Sequence, residues 1–241
     1  MKPPGFRYHA AESAPETLQL LAENGPDAKV LAGGQSLIQL MNLRVAYPKM
    51  LVDINEIDSL AYIRPDNGTL TIGATTRVST LERDRTVMSR MPLISEASGW
   101  VAYPAIRNRS TLGGLLAYAD PLAELPAVMV ALDAEIEVAK QSGSRTVRAT
   151  EFFTGPYETV LEPDELITEI RIPNLPSRTG SSFIEFARRD REYALAGVAA
   201  TVSLGDDGTI ADARLGLCSV SLSPVRLKSV EDSLRGQRPD A

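Results

Sequence analysis

Two glycine pairs, each beside hydroxyl side chains, are the residues of this sequence whose types and spacing could bind a ligand. The first pair is Gly33-Gly34 in "KVLAGGQSL", with Ser36 after it; the second is Gly113-Gly114 in "RNRSTLGGLL", with Ser110 and Thr111 before it. Unhindered backbone N–H groups and hydroxyls are the donors that phosphate oxygens accept. Neither segment is a P-loop or a G-x-G-x-x-G fingerprint. Nucleotide binding and a pair of simple turns are therefore equally good interpretations.

Other residue types that perform chemistry are scarce. His9 is the single histidine and Cys218 the single cysteine. Histidine acid–base catalysis, His-rich metal sites, internal disulfides and iron–sulfur clusters are therefore disfavoured on this chain. We assign no catalytic residue and no metal ligand, and we expect Cys218 to be a small buried strand residue. The 31 acidic and 25 basic residues give a net charge of −6, which argues against nucleic acid as a partner.

The elements around the first glycine pair are a strand before it and a helix after it. "KVLA" is a short apolar strand, and "LIQLMNLR" is a helix candidate. Upstream, Ser13 and Glu16 fit a capping box that starts the helix "TLQLLAEN", which Gly25-Pro26 ends. "MLVDI" predicts another buried strand. These elements give the first part of an α+β pattern.

Two predicted hairpins lie on either side of the second glycine pair. Their turns are Asp66-Asn67-Gly68 and Ser142-Gly143-Ser144. Between them, the sequence predicts a helix in "PLISEASGW", a loop that carries the glycine pair, and a helix that starts near Asp120-Pro121.

The C-terminal part of the chain has a different character. The segment from Arg171 to Ser182 is rich in Pro, Gly and Ser, which predicts a linker. Three strand patterns follow, in "SFIEFARR", "ALAGVAATVSLG" and "IADARLGLCSVS". They predict a small, separate antiparallel sheet.

Length and hydropathy set the general class. The 241 residues, 44% of them hydrophobic, can bury a core in one large domain or two small ones. The sequence has neither a signal-peptide pattern nor an apolar stretch of about 18 residues. We expect a cytoplasmic protein without a membrane span.

Several of these segments together resemble a known family. "AGGQSL", "AIRNRSTLGGLLAYADPLAELPAVMVALDAEIEV" and the later "YALAGVA" resemble the FAD-binding medium subunits of molybdenum hydroxylases, which include aerobic carbon monoxide dehydrogenase and xanthine dehydrogenase. The resemblance extends from about Phe6 to Arg235. It implies a two-part FAD-binding domain of the vanillyl-alcohol oxidase type over residues 1–175. A small C-terminal domain with a three-stranded antiparallel sheet would occupy residues 176–241.

The resemblance also implies which residues contact FAD. The first phosphate loop and its approach are matched by Lys29, Val30, Ala32, Gly33, Gly34, Gln35, Ser36 and Leu37. The second loop is matched by Thr111, Gly113 and Gly114, and the adenosine and ribose segment by Ala117, Asp120 and Glu124. Val101 and Tyr193 match positions against the flavin ring, and either Leu161 or Leu166 matches an apolar contact near the nucleotide. From the residues alone, Asp120 and Glu124 could instead belong to a helix start.

By the same resemblance, the chain is an electron-transfer flavoprotein subunit of a heteromeric dehydrogenase. Substrate would be oxidised at a molybdopterin cofactor on a large subunit. Electrons would then pass through iron–sulfur clusters on a small subunit to FAD, and on to an external acceptor. We expect a dimer of heterotrimers, with the Arg107–Arg109 loop and the strand around Tyr193 facing the cluster-bearing partner.

Departures from the family pattern leave alternatives open. Ser110 stands where glycine is usual, Tyr118 where histidine is common, and Glu185 where lysine is frequent. The sequence ends before the further C-terminal helices of the family, which would be missing, trimmed or supplied by a partner. One alternative is a self-sufficient flavin oxidase of the same fold, which would need a substrate pocket over the ring. The other is a flavin-free assembly or binding module.

Overall fold

The computed structural model describes residues 2–189 and 192–239. The strands are β1 (Arg7–Ala10), β2 (Ala28–Leu31), β3 (Met50–Asp53), β4 (Ile63–Pro65), β5 (Thr69–Gly73), β6 (Glu135–Lys140), β7 (Gly143–Arg148), β8 (Phe153–Gly155), β9 (Glu158–Thr159), β10 (Leu166–Pro173), β11 (Thr179–Ala187), β12 (Ala194–Leu204), β13 (Ile210–Cys218) and β14 (Val225–Arg226). The helices are α1 (Ala14–Asn24), α2 (Leu37–Asn42), α3 (Val78–Arg83), α4 (Arg85–Arg90), α5 (Pro92–Trp100), α6 (Pro104–Arg107), α7 (Leu112–Tyr118), α8 (Glu124–Ala131), α9 (Ala149–Phe152) and α10 (Lys228–Leu234).

The first sheet is parallel, with the strand order β1-β3-β2. Parallel neighbours need crossover connections, which α1 and α2 provide. The predicted capping box is confirmed, since the Glu16 N–H donates to Ser13 Oγ at 3.3 Å; Gly25, with φ of 51°, ends α1. Because the strands are parallel, the segments that follow β2 and β3 leave the same edge of the sheet. The first glycine pair lies in one of these segments.

The second sheet has five antiparallel-paired strands in the order β4-β5-β10-β6-β7. Both predicted hairpins are confirmed. In the second hairpin, however, Lys140 pairs with Gly143, so the turn residues are Gln141 and Ser142. Gly143 has φ of 146° and begins β7, a conformation that glycine adopts without strain.

The third sheet has four antiparallel strands in the order β11-β12-β13-β14, so the predicted three-stranded sheet was incomplete. The three predicted strands are confirmed, and β14 is the addition. This strand contains only Val225 and Arg226, which is too short for a periodic pattern to reveal.

The predicted linker was wrong at both ends. β10 continues to Pro173, and β11 begins at Thr179, inside the segment that composition marked as linker. β11 is at the edge of its sheet, where glycine and serine are tolerated because one side of the strand needs no partner.

The helix predicted to start near Asp120-Pro121 is confirmed, but it begins four residues after Asp120. Ala119 takes a left-handed conformation with φ of 51° and ends α7. The Leu122 N–H then donates to the Asp120 carboxylate at 3.0 Å, which forms a turn, and α8 begins at Glu124. Asp favours both helix caps and such turns, so its type alone does not separate them.

One large hydrophobic core joins the second and third sheets. It includes Ile136 and Ile170 of the second sheet, Val128 of α8, and Phe183 and Ala199 of the third sheet. A smaller core lies under the first sheet, around α1 and β3. No helix within the described ranges is both long and apolar enough to cross a membrane. The last strand of the second sheet, β10, and the first strand of the third sheet, β11, therefore contribute residues to the same core.

Candidate functional site

A cavity of about 780 Å³ lies between the two glycine segments and residues 154–167. We call residues 32–37 the first glycine loop and residues 109–114 the second glycine loop. Most of the sequence-predicted FAD contacts line this cavity: Lys29, Val30, Ala32, Gly33, Gly34, Gln35, Ser36, Leu37, Thr111, Gly113, Gly114, Ala117, Leu161 and Leu166. The structure therefore brings together residues that are more than 130 positions apart in the chain, from Lys29 to Leu166.

The first glycine loop lines the cavity and contains backbone donors that the described part of the protein does not use. Within the described part of the chain, the N–H groups of Gly33, Gly34, Gln35 and Ser36 have no hydrogen-bond acceptor. Gly34 has φ of 73°, which turns the chain so that successive N–H groups can face one side. Ser36 precedes α2, but its hydroxyl makes no capping hydrogen bond. Consecutive unpaired N–H groups on a cavity wall form a site suited to an anion.

The second glycine loop is different, because its glycine N–H groups are already used by the protein. The Gly113 N–H donates to the Ala74 carbonyl oxygen at 2.8 Å. The Gly114 N–H donates to Thr111 Oγ1 at 3.1 Å, so Thr111 is the N-cap of α7. A Cβ atom on Gly113 would lie 2.7 Å from that of Ala74, so packing within the protein already requires glycine there. From the sequence, both glycine pairs are equally good donors to a ligand. In the structure, only the first pair has N–H groups without an acceptor among the described residues.

The two loops also contact each other. A Cβ atom on Gly33 would overlap the carbonyl oxygen of Arg109. Position 33 therefore requires glycine, because the second glycine loop passes directly against it. The first pair combines two needs, close approach between loops at Gly33 and a left-handed conformation at Gly34.

Aromatic, apolar and acidic side chains form much of the rest of the cavity wall. The rings of Tyr118 and Tyr157 lie 5.1 Å apart at an angle of 51°. Burial, followed by the nearby Tyr157 and Asp120, raises the pKa of Tyr118 to about 12, so it is a neutral donor at physiological pH. Leu161 and Leu166 both line the cavity, so the structure does not choose between them.

Four predicted contacts lie away from the cavity wall. Val101 is buried in the large core, and its carbonyl oxygen accepts from Arg107. Tyr193 is 73% exposed beside β12. Asp120 holds the turn before α8, and Glu124 is the first residue of that helix. Their contacts with FAD stay predictions.

Glu124 faces the third sheet in an unusual electrostatic environment. Burial, followed by the charges of Glu185 and Asp120, raises the pKa of Glu124 to about 7. Burial also raises the pKa of Glu185, whose Oε2 has no hydrogen-bond partner among the described residues. On β13, which β12 separates from the strand of Glu185, burial and then the charge of Glu124 raise the pKa of the buried Cys218 thiol to about 12. Carboxyls and thiol meet where α8 packs on the third sheet.

The expected exposure of Arg107 was wrong. Its side chain is 4% exposed, and its Nε donates to Glu82 Oε2 at 2.9 Å. The guanidinium also donates to the Ala102 carbonyl oxygen at 2.8 Å. Arg107 therefore connects α3 with the segment between α5 and α6. Arg109, in contrast, is exposed.

Sequence reasoning missed several residues at the site. Tyr47 and Tyr157 line the cavity, as do Thr154, Glu158 and Glu162. Asn55 and Arg77 connect the two loops from behind. Asn55 had one available signal, since it follows β3 at the carboxyl edge of a parallel sheet, where ligand sites concentrate. The other residues have no local pattern that marks them.

Comparison with known proteins assigns the family. Residues 4–175 match the FAD binding domain in molybdopterin dehydrogenase, and residues 181–241 match the CO dehydrogenase flavoprotein C-terminal domain. The chain belongs to this family. It is a medium, FAD-binding subunit of the molybdenum hydroxylase type, as the sequence resemblance predicted, and has the mixed α/β fold of these subunits.

Individual relatives agree over nearly the whole chain. Identity is 42% over 234 residues to the alpha subunit of the 6-hydroxypseudooxynicotine dehydrogenase complex of Paenarthrobacter nicotinovorans, covering 97% of this chain and 79% of that protein. It is 39% over 237 residues to the carbon monoxide dehydrogenase medium chain of Hydrogenophaga pseudoflava, covering 98% and 82% respectively. The solved structure of quinoline 2-oxidoreductase from Pseudomonas putida 86 aligns with a TM-score of 0.94 at 39% identity, covering 100% of this chain and 83% of that one.

Proposed function

We propose that this medium subunit holds the pyrophosphate of FAD against the first glycine loop. The observation that carries the proposal is the row of N–H groups from Gly33 to Ser36, which lack an acceptor within the described residues and line the cavity. A pyrophosphate would supply the missing acceptors at no cost in protein hydrogen bonds. The second glycine loop would contribute shape, and its Ser110 lines the same cavity.

The dimensions and lining of the cavity suit the rest of a dinucleotide. Its volume of about 780 Å³ lies within the roughly 300–1,000 Å³ that is typical of ligand pockets. Leu161, Leu166 and the tyrosine pair supply apolar and aromatic surface for ring systems. We propose that Asp120 and Glu124 lie toward the adenosine and ribose, and that Val101 and Tyr193 lie toward the flavin ring.

The chemistry that bound FAD would supply is the collection of single electrons and their delivery in pairs. The chain itself binds and orients the cofactor and limits the access of water, through the loops and the aromatic wall. We propose that a small iron–sulfur subunit delivers the electrons from a large molybdopterin-binding subunit, in a dimer of heterotrimers, and that an external acceptor receives them. We also propose a cytoplasmic location, with FAD-binding and C-terminal domains at residues 1–175 and 176–241.

FAD uptake tests the proposal directly. The full chain, purified or reconstituted with FAD, should show the visible flavin absorption bands with one FAD bound per chain. Removal of FAD and titration back should restore the bands. A folded chain that takes up no FAD, alone or together with its partner subunits, would refute the proposed function.

A further inference from the structure

The two glycine loops belong to different parts of the fold, so something must set the distance between them. The first follows β2 of the parallel sheet, and the second, 77 positions later, leads into the first turn of α7. Direct contact occurs at Gly33, but a contact at one glycine does not prevent the loops from sliding. Two polar side chains behind the cavity bridge the loops.

Asn55 holds the first glycine loop. Its Nδ2 donates to the Ala32 carbonyl oxygen at 2.7 Å, immediately before the glycine pair. The same amide group also donates to Asp53 Oδ1, which in turn accepts the Asn55 N–H at 2.8 Å. Asp53 ends β3, so Asn55 is fixed to the edge of the parallel sheet. Asn55 thereby holds Ala32 in a fixed position relative to the parallel sheet.

Arg77 holds the second glycine loop and reaches Asn55. Its backbone pairs with Thr111 in an antiparallel bridge, and the adjacent Val78 N–H donates to the Ser110 carbonyl oxygen at 2.9 Å. One guanidinium nitrogen donates to the carbonyl oxygen of Arg109. The other donates to Asn55 Oδ1 at 2.6 Å. A single side chain therefore contacts the second loop and the residue that holds the first.

We propose that Arg77 and Asn55 form a loop clamp, whose role is to position the first glycine loop for the pyrophosphate of FAD. The inference rests on the proposed function. Neither residue lines the cavity, so both are positioning residues and not ligand contacts. The chemistry is specific, because the planar guanidinium donates in two fixed directions, and the Asn amide accepts on one side and donates on the other. Lysine at position 77 or aspartate at position 55 would keep the size but lose one of the two directions.

The test compares full-chain variants by FAD titration and by the ³¹P NMR spectrum of the bound pyrophosphate. Arg77→Met should weaken FAD binding at least about tenfold and shift the bound ³¹P signals. Asn55→Asp should do the same, since it keeps the acceptor for Arg77 but loses the donor to Ala32. Arg77→Lys should not restore the wild-type spectrum. Arg83→Met, at an exposed position in the last turn of α3, is the matched control and should behave as wild type.

Each outcome separates the clamp from the function on which it rests. In a double-mutant cycle, Arg77→Met combined with the uncharged, near-isosteric Asn55→Leu should cost clearly less than the sum of the two single changes, because either change alone already interrupts the bridge between the loops. Wild-type FAD affinity and ³¹P shifts in either folded single variant would overturn the clamp and leave FAD binding intact. If Arg77→Met does not fold, the near-isosteric Asn55→Asp variant decides. If wild-type chain takes up no FAD, the proposed function fails, and the clamp fails with it.

Discussion

Gly34 is the residue at which backbone conformation and ligand approach coincide. Its φ of 73° lies in the left-handed region, which strains residues with branched side chains. A Cβ atom there would also lie 3.3 Å from the side chains of Ile38 and Leu31. Both effects act on the first glycine loop, which lines the cavity and whose N–H groups from Gly33 to Ser36 have no acceptor among the described residues.

Gly34→Val should therefore lower FAD affinity by at least about tenfold, equivalent to ~1.4 kcal/mol. Gly208→Val is the matched control, since Gly208 has φ of 79° and open space around it in a distant turn. The control should lose some stability to the same backbone strain but keep its FAD affinity. Titration of FAD with both folded variants measures the difference. Equal affinities would show that the Gly34 conformation is not needed for binding.

At the scale of elements, the strand β14 is held by an ion-pair network that no local pattern indicates. Arg226 pairs with Glu231 of α10, and their side chains are 8% and 3% exposed. Arg226 also pairs with Asp133, which follows α8 and in turn pairs with Arg214 of β13. The network joins the third sheet to α8 and α10.

Arg226→Met should destabilise the protein by about 3 kcal/mol, because it leaves the Glu231 carboxylate buried without its cation. Arg148→Met, at an exposed position of β7, is the control and should change stability by less than about 0.5 kcal/mol. Chemical denaturation monitored by circular dichroism measures both. A loss below about 1 kcal/mol for Arg226→Met would contradict the assigned importance of the network.

The packing of α8 against the third sheet should make stability depend on pH through Glu124. Its pKa is raised from 4.5 to about 7 in the folded protein, so the folded state resists ionisation of this carboxyl. The penalty is absent at low pH, grows as the pH rises from about 4.5 to about 7, and stays constant above that window.

Glu124→Gln should accordingly be more stable than wild type at pH 8, by roughly 2 kcal/mol, and the difference should disappear near pH 4. Unfolding free energies measured across this range test the sign. Glu151→Gln, at an exposed position of α9, should follow the wild-type profile. A Glu124→Gln curve parallel to wild type would show that Glu124 does not titrate in this window.

At the scale of the whole molecule, the chain is one component of an electron path. A single cysteine, Cys218, is buried and cannot hold an iron–sulfur cluster. We therefore expect anaerobic addition of the physiological substrate to leave the flavin bands unchanged when this chain is alone. The bands should bleach once both the cluster-bearing and the molybdopterin-bearing subunits are added. Bleaching with this chain alone would favour a self-sufficient flavin oxidase.

Local features of the chain were predictable from the sequence. The family was recognised from several short segments taken together. The capping box at Ser13, both hairpins, and the strand before and helix after the first glycine pair follow from patterns within a few residues of each other. Such patterns act through the backbone preferences of neighbouring residues, and those preferences hold before the elements pack. The glycine pair and Ser36 of the first glycine loop could be recognised for the same reason, whereas the other residues of that loop were named from the family resemblance.

Features that depend on the docking of distant elements were decided by the tertiary structure. The N–H groups of Gly113 and Gly114 looked free in sequence, yet Ala74 and Thr111 use them. Arg107 was expected to be exposed, yet its side chain is buried in an ion pair with Glu82. Asn55 and Arg77 become a pair only when the parallel sheet meets the segment before α3. A donor, acceptor or charge finds its partner wherever packing places one, and the sequence alone does not contain that distance.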